Sequence, residues 1–423
     1  MANDTQGSDG ASALRQSLAE HLKNNRRLRT PAVEAAFRAV PRHLFLPEVP
    51  VEDAYRDEPF VTKRLDDIPV SSSSQPSIMA TMLEQLGLEP GHRVLEIGAG
   101  TGYNAALMAQ IVGGAGQVDT VEIDEDIAAA AREHLKAAGF AQVTVVCGDG
   151  SHGFAGGAPY DRIILTAGSE DIAPAWREQM RAGGRIVLPL TIRGAQKTVA
   201  FESAGDHLAS VSVFDCGFMM LRGAFAETLV IVKLGPEPGL HLIANESAQL
   251  DADAVYRSLI GSFSDRPTGV HATPMELWAR LSLWLALREP GLCRLWVRNE
   301  RLEGAGVPGL LPLRGKGEWA SASALTSAES LSILMQQPGT SSASDSPDDS
   351  ASDVFVRSFG PDEKSALVGR LIEQVRAWDA ASRTPTERLR IRAYPKDVLY
   401  APLPGEMVVE KRWTRLVLGW PGG

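Results

Sequence analysis

Arg93-Val94-Leu95-Glu96-Ile97-Gly98-Ala99-Gly100-Thr101-Gly102-Tyr103 decides how the chain folds. A short, mostly apolar run ends in three closely spaced glycines, which reads as a buried parallel strand, a tight turn and a helix start. Glycines at such a turn permit positive φ and close backbone approach to a ligand, while the free N–H groups of the helix start attract an anion. Gly98, Gly100 and Gly102 are spaced G-x-G-x-G, whereas a dinucleotide site wants G-x-G-x-x-G. Glu96 precedes the first glycine and can accept hydrogen bonds from an ammonium group, which a nicotinamide cofactor lacks. S-adenosylmethionine carries an ammonium and a carboxylate on its methionyl end. The stretch therefore points to a methyl-donor site, with a dinucleotide as the competing ligand.

Downstream, Gln117 to Asp124 reads as a second strand ending in acids. Glu122 stands about 20 residues past the glycines, where a doubly wound sheet places its ribose-hydroxyl acceptor. Asp124 is expected to cap a helix from Ile127 to Ala138. A third strand, Gln142 to Cys147, runs into Gly148-Asp149-Gly150, where Asp149 can accept from an adenine amino group. Tyr160 to Thr166 and Gly183 to Pro189 make the fourth and fifth strands. This alternation specifies an open, mostly parallel α/β sheet with helices on both faces. Thr198 to Glu202 and Glu227 to Leu234 are expected to finish the domain, and Gly235-Pro236-Glu237-Pro238-Gly239 to end it. The expected division is thus 1–235 and 236–423. In the second part, Thr273-Pro274-Met275-Glu276 is a capping box. Pro361 to Ala381 reads as a helix, and Leu292 to Val297, Leu389 to Ala393 and Val408 to Leu418 as strands. The Ser/Asp/Pro/Gly segment at 336–353 is expected to be a disordered loop in this α+β accessory domain.

Upstream, Ala13 to Val40 has a helical pattern, with Thr30 as cap and Pro31 in the first turn. Its basic cluster, Lys23 to Arg29, reads as a solvated face. Val40 to Pro47 and Ala54 to Pro59 read as a helix ended by prolines and a packed loop. Ser71, Ser72, Ser73 and Ser74 lead through Gln75 into an apolar helix, so the run is either flexible linker or a hydroxyl-lined site loop. Phe218-Met219-Met220-Leu221 is either gap-filling core or a peptide-binding rim.

A chain of 423 residues suggests two domains, and a formal charge of −10 argues against a partner gripped through nucleic-acid phosphates. Three scattered cysteines make neither a disulfide framework nor a zinc site, and the eight histidines show no ligand spacing, so no metal is expected. Met1 to Ser12 lacks the regions of a signal peptide and no segment is long enough to span a membrane, which implies a cytoplasmic protein.

Val40-Pro41-Arg42-His43-Leu44-Phe45, Ala54-Tyr55, Ser74-Gln75-Pro76, the glycine stretch, Gly148-Asp149-Gly150 and Tyr160-Asp161-Arg162-Ile163-Ile164, in that order, resemble the protein-L-isoaspartate O-methyltransferases over roughly the first half of the chain. The resemblance implies a Rossmann-like class I methyltransferase fold, S-adenosylmethionine as donor, and an aspartyl or isoaspartyl side-chain carboxylate in a peptide as acceptor. It places the active-site hydroxyl at Ser74. The donor is then held by Ser71, Ser72, Ser73, Glu96, Gly98, Gly100, Gly102, Glu122, Ile123, Asp149 and Gly150, and the acceptor meets Gln75 and the segment Phe218, Met219, Met220 and Leu221.

The chain also departs from that family. Ser72 and Ser73 replace the Thr and Ile of a T-I-S motif, Leu65 to Val70 replaces its glycine-containing approach, and Phe218-Met219-Met220-Leu221 replaces F-V-P-L, with Gly217 where bacterial members often carry Arg. With a C-terminal domain that the repair enzymes lack, these changes make the chain look like the related tailoring enzymes of ribosomal peptide biosynthesis. Those esterify an aspartate of a modified precursor such as a lanthipeptide, lasso peptide or graspetide, leading to aspartimide or isoaspartate. Repair of isoaspartyl proteins is the alternative, and a noncatalytic S-adenosylmethionine-binding peptide-recognition module the third reading.

Overall fold

The computed structural model describes residues 2–65, 68–223, 230–244, 251–289, 291–303, 307–313, 318–327, 330–337, 350–360 and 366–420. The chain opens with helices α1 (Ala2–Asn24), α2 (Pro31–Ala39) and α3 (Val51–Ala54), a hairpin of β1 (Phe60–Leu65) and β2 (Ile68–Ser73), and α4 (Pro76–Leu86). The alternating part follows: β3 (Arg93–Ile97), α5 (Tyr103–Val112), β4 (Gln117–Glu122), α6 (Glu125–Ala137), β5 (Thr144–Cys147), β6 (Tyr160–Leu165), α7 (Pro174–Gln179) and β7 (Met180–Ile192), then β8 (Ala195–Ala204) and β9 (His207–Asp215). Next come β10 (Val230–Lys233), β11 (Leu240–Ala244), α8 (Ala252–Leu259), β12 (Phe263–Ala272), α9 (Ser282–Arg288), β13 (Leu292–Arg298), α10 (Asn299–Glu303), β14 (Trp319–Thr326), β15 (Leu331–Gln336), β16 (Ser352–Phe359) and α11 (Ala366–Ala380). Three strands end the chain: β17 (Arg390–Pro395), β18 (Met407–Glu410) and β19 (Thr414–Gly419).

One ten-stranded sheet has the order β18-β19-β17-β9-β8-β7-β6-β3-β4-β5. The strands from β5 to β7 are parallel, as the alternation of strand and helix requires. In β3, Val94, Leu95 and Ile97 are buried on both faces of the sheet. α5 is apolar nearly all round, with Leu107, Met108 and Ile111 inside the core that also takes Phe37, Phe45 and Leu83.

The chain divides into two compact units, Met1–Thr191 with Gln196–Ala226 and Leu389–Gly423, and Ile192–Ala195 with Glu227–Arg388. The single boundary expected near Gly235 is corrected on both sides. β10 lies in the second unit, and the last strands belong to the first, because β17 pairs antiparallel with β9 through Arg392↔Ala209 and Ala393↔Leu208. Such a pairing joins positions some 180 residues apart and leaves no local signal. The expected strand from Val408 to Leu418 is a hairpin, β18 and β19, and β9 is a strand where no regular element was expected.

The second unit is a seven-stranded antiparallel sheet, β10-β11-β13-β14-β15-β16-β12. The expected capping box forms with both reciprocal bonds, Glu276 N–H to Thr273 Oγ1 at 3.1 Å and Thr273 N–H to Glu276 Oε2 at 3.0 Å. Of the segment expected to be disordered, 338–349 lie outside the described residues, while its two ends are the strands β15 and β16. The first residues of two other expected elements, 227–229 and 361–365, also lie outside them. No helix among the described residues is long and apolar enough to cross a membrane, and none of their His, Cys, Asp and Glu side chains form a group of three that could hold a metal.

Candidate active site

The site is built at the C-terminal ends of β3, β4, β5 and β6. After β3 the chain turns through Gly98 at φ +100° and Gly100 at φ +52°, both closed to ordinary side chains. A Cβ on Gly98 would stand 2.6 Å from Thr166 Oγ1, the hydroxyl that donates to Gly98 O at 2.5 Å. A Cβ on Gly100 would lie 3.4 Å from Ser72 O, so the serine strand β2 passes directly over the turn. Gly102, the N-cap of α5 at φ +87°, faces elsewhere. A Cβ there would meet Leu135 Cγ at 3.1 Å and Ala131 O at 3.3 Å, so the missing side chain of this glycine serves the packing of α5 on α6.

Glu96 also departs from its expected place. Its carboxylate is fully buried, accepting from Asn104 Nδ2 at 2.8 Å and Thr120 Oγ1 at 2.7 Å, which ties β3 to α5 and β4. Burial pushes its pKa up to about 7 against those two hydrogen bonds. The ammonium acceptor read from the sequence is therefore a core acid. The partners that capture it come from two other elements, eight and 24 residues away.

Glu122 ends β4 as expected. It accepts from the N–H groups of Gly100 at 3.0 Å, Ile123 at 3.0 Å and Asp124 at 3.3 Å, which holds a carboxylate against the glycine turn. Asp149 accepts from Ser151 N–H at 2.9 Å, and Gly150 packs on Ile97 while its carbonyl accepts from Trp176 Nε1. Ile123 and Asp149 face one another across Gly223, whose hypothetical Cβ would reach 2.6 Å from Asp149 Oδ2 and 2.9 Å from Ile123 Cδ1. Asp124 does not cap α6 with its side chain. It takes Lys63 Nζ of β1 at 3.0 Å and both guanidinium nitrogens of Arg222 at 2.6 and 3.2 Å. The Arg222 hydrogen bonds, and then Lys63, hold its pKa below the ordinary value. This clasp joins the β1–β2 hairpin to the segment after β9 beside the glycine turn.

Ser71, Ser72 and Ser73 lie in strand β2, and Ser74 in the short connection to α4. Ser71 accepts from Thr62 Oγ1 at 3.0 Å, Ser73 is buried with no partner for its hydroxyl, and half-buried Ser74 follows the strand. Gln75 donates to Asp57 O at 2.9 Å, and Asp57 Oδ1 accepts from Ser77 N–H at 2.8 Å. Arg42 was missed by the sequence reading. Its side chain is fully buried and donates to the carbonyls of Arg56 at 3.0 Å, Glu58 at 3.2 Å and Ser74 at 3.1 Å, between the rings of Phe60 and Tyr103. Desolvation lowers its pKa. Its signals are a charge set between Val40-Pro41 and Leu44-Phe45-Leu46 and its place in the family-like stretch Val40 to Phe45.

The segment from Phe218 to Leu221 runs beside the loop after β6. Gly168 N–H donates to Met219 O and Leu221 N–H to Gly168 O, each at 2.7 Å, while Gln196 Nε2 reaches Phe218 O and Met220 Sδ. The same loop is anchored from the far end of the chain. Asp171 accepts from the N–H groups of Trp413 and Thr414, and Glu170 pairs with Lys411 at 2.8 Å, with both side chains about nine-tenths buried.

The profile of the protein-L-isoaspartate(D-aspartate) O-methyltransferase family matches residues 13–223. A protein-L-isoaspartate O-methyltransferase of Methanopyrus kandleri is 41% identical over 193 residues, 45% of this chain and 83% of the relative. The chain belongs to this family. It is an O-methyltransferase, and the donor the family uses is S-adenosylmethionine. The relative of the same name from Thermotoga maritima is 39% identical over 170 residues, 40% of this chain but only 53% of that protein. Nearly half of that relative thus lies outside the match, so an additional region does not set this chain apart from family members named for isoaspartate. A solved chain named protein-L-isoaspartate O-methyltransferase aligns over 89% of this chain and 96% of its own, at 23% identity and a TM-score of 0.49.

Proposed function

We propose that the chain methylates the free α-carboxylate of L-isoaspartyl residues in proteins and peptides, the first step in returning them to ordinary aspartyl linkage. The observation that carries this reading is the passage of Ser72 to Ser74 over the glycine turn, with the Ser72 carbonyl 3.4 Å from the Cβ position of Gly100. It brings the segment that carries Ser74 to the glycine turn. The names of the matching relatives point the same way.

The residues present suit an adenosyl donor. Glu122 is an acceptor-only carboxylate at the strand end where ribose hydroxyls are bound, and Asp149 with Ile123 would take the adenine. Gly98 and Gly100 shape the turn against which the methionyl part would lie, with Ser72 close above it. When bound, S-adenosylmethionine supplies a methyl group made electrophilic by a sulfonium. The chain has correspondingly little acid–base work to do. An acceptor carboxyl with an ordinary pKa near ~4 is already ionised at neutral pH, so position and partial desolvation suffice. Ser74 donates its hydroxyl proton to one oxygen of that carboxylate and aims the other, while Arg42 holds the Ser74 carbonyl and thereby the approach. The methyl ester, once released, closes to a succinimide without further help: the next amide nitrogen attacks the ester carbonyl, the ester C–O bond breaks, and methanol leaves with the amide proton.

Ser74→Ala should cut turnover on an isoaspartyl hexapeptide by about 100-fold, the cost of a misplaced reactant, with S-adenosylmethionine affinity within a factor of about 2 by calorimetry. Unchanged turnover removes Ser74 from the mechanism. A dedicated, modified precursor peptide is the second reading. It is favoured by the serines replacing Thr and Ile and by the altered Phe218 to Leu221 segment, which runs beside the loop after β6. Mass spectrometry on the hexapeptide separates the two: ready methylation supports repair, and none supports a dedicated substrate.

A further inference from the structure

The second unit presents a half-covered sheet. On one face, Leu240, Leu242, Leu295 and Val297 pack with Val255 and Leu259 of α8. On the other, Leu325, Val354 and Val356 are covered by α9 and α11 through Leu285, Leu371 and Trp378. Those two helices reach only one end of that face. Side chains alternate along a strand, so Trp319 shares the face of Leu325, yet it lies at the end that no helix among the described residues covers.

The pairing register defines what stands there. Lys233, His241, Trp296 and Ser321 form one cross-strand row over β10, β11, β13 and β14, and Ile231 and Arg294 belong to the next. Arg298 stands opposite Trp319, its guanidinium 5.3 Å from the ring centroid. Trp296, Trp319 and His241 form a cluster with centroids 5.8 to 6.0 Å apart. Trp296 is 39% exposed and Ile231 57%. No strand position on this bare part is acidic, although the chain carries a net charge of −10; Glu300, 3.6 Å from Arg298, and Glu318 lie beyond the strand ends. The Arg294 guanidinium has neither ion pair nor hydrogen bond among the described residues, and burial lowers its pKa.

We infer that this face, centred on Trp296, Trp319, Arg294, Arg298 and Lys233, docks an extended acidic polypeptide segment of the protein substrate. Three cations of one sign set around a tryptophan pair are complementary to carboxylates on a chain that also carries apolar side chains. An exposed tryptophan gives such a chain a broad apolar contact at small entropic cost. Three cations are also too few for a phosphate-tracking groove, so a nucleic acid is the disfavoured partner. The inference rests on the peptide substrate proposed above, but its test does not need methyl transfer.

Fluorescence anisotropy of a labelled Asp/Glu-rich peptide lacking isoaspartate is measured on the full chain and on the Trp296→Ala/Lys233→Gln variant, whose altered side chains are exposed. Saturable binding should weaken about tenfold or more in the variant, as expected for the loss of a charge-assisted and an aromatic contact. Methylation of a short neutral isoaspartyl peptide should be the same in both. Absence of saturable binding, equal binding by both proteins, or tighter binding of a Lys-rich peptide or single-stranded RNA overturns the inference. Acidic-peptide binding without any methyl transfer upholds it and overturns the proposed function instead. Arg298→Gln provides a second variant, with circular dichroism to confirm its fold.

Discussion

Replacing Glu96 by Gln distinguishes a buried structural acid from a donor ligand. The carboxylate is fully buried, and its pKa stands at about 7 against an ordinary 4.5 because desolvation outweighs its two hydrogen bonds. An acid whose pKa is raised by folding weakens the fold as pH rises. The unfolded chain gives up the proton near 4.5, the folded chain keeps it until about 7, and stability is lost across that window. The gap corresponds to about 3 kcal/mol at most, with the full penalty present above about pH 7. A glutamine at this position would keep the oxygen facing Asn104 Nδ2, and the Thr120 hydroxyl can rotate to accept from the new amide. The variant should therefore gain on the wild type by about 2 to 3 kcal/mol between about pH 5 and pH 8 in urea unfolding. Donor affinity should hardly change, because the side chain has no exposed atom to offer. A stability difference independent of pH refutes the buried titration. A roughly tenfold loss of S-adenosylmethionine affinity, the mark of a lost charge-assisted bond, would restore Glu96 as a donor ligand.

Arg42→Met removes the donors to three carbonyls under the Ser74 approach; it should cost at least about 2 kcal/mol in thermal unfolding and about 100-fold in turnover. Lys should rescue part of that turnover, and full activity in the Met variant would refute the positioning role. Lys411→Met removes the buried ion pair of Glu170 and should destabilise the first unit by up to about 3 kcal/mol. Adding Glu170→Gln should recover part of the loss, and calorimetry of the single and double variants checks both.

Much of the first unit was legible because its signals are local. The glycine turn, the acid ending β4 and the strand–helix alternation each sit within a few residues of what they specify, and the reciprocal bonds of Thr273 and Glu276 follow from a four-residue pattern. What was not legible depends on distant partners. Glu96 looks like a ligand until Thr120 and Asn104 are brought to it, and Asp124 looks like a cap until Lys63 and Arg222 arrive from either side. Gly102 fits the ligand pattern equally well by eye, yet its freedom is used by Leu135. Arg42 carries a charge where its neighbours are apolar, but only the fold shows that three carbonyls converge on it. The domain boundary failed for the same reason: Gly235-Pro236 is a real turn, but the strand that completes the sheet is written more than 150 residues later.

That late strand has a consequence for how the protein is made. β9 presents an open sheet edge until Arg390 to Pro395 have left the ribosome, and the Glu170 and Asp171 loop waits still longer for Lys411 to Thr414. Synthesis at about 5–20 residues per second leaves that edge uncovered for about 10 seconds or more, a window in which an unpaired strand is prone to mispairing. Completion of the catalytic unit thus waits for residues 390 to 414, and a chain cut short before them would keep every residue of the donor cradle while lacking the strands that pair with its sheet edge.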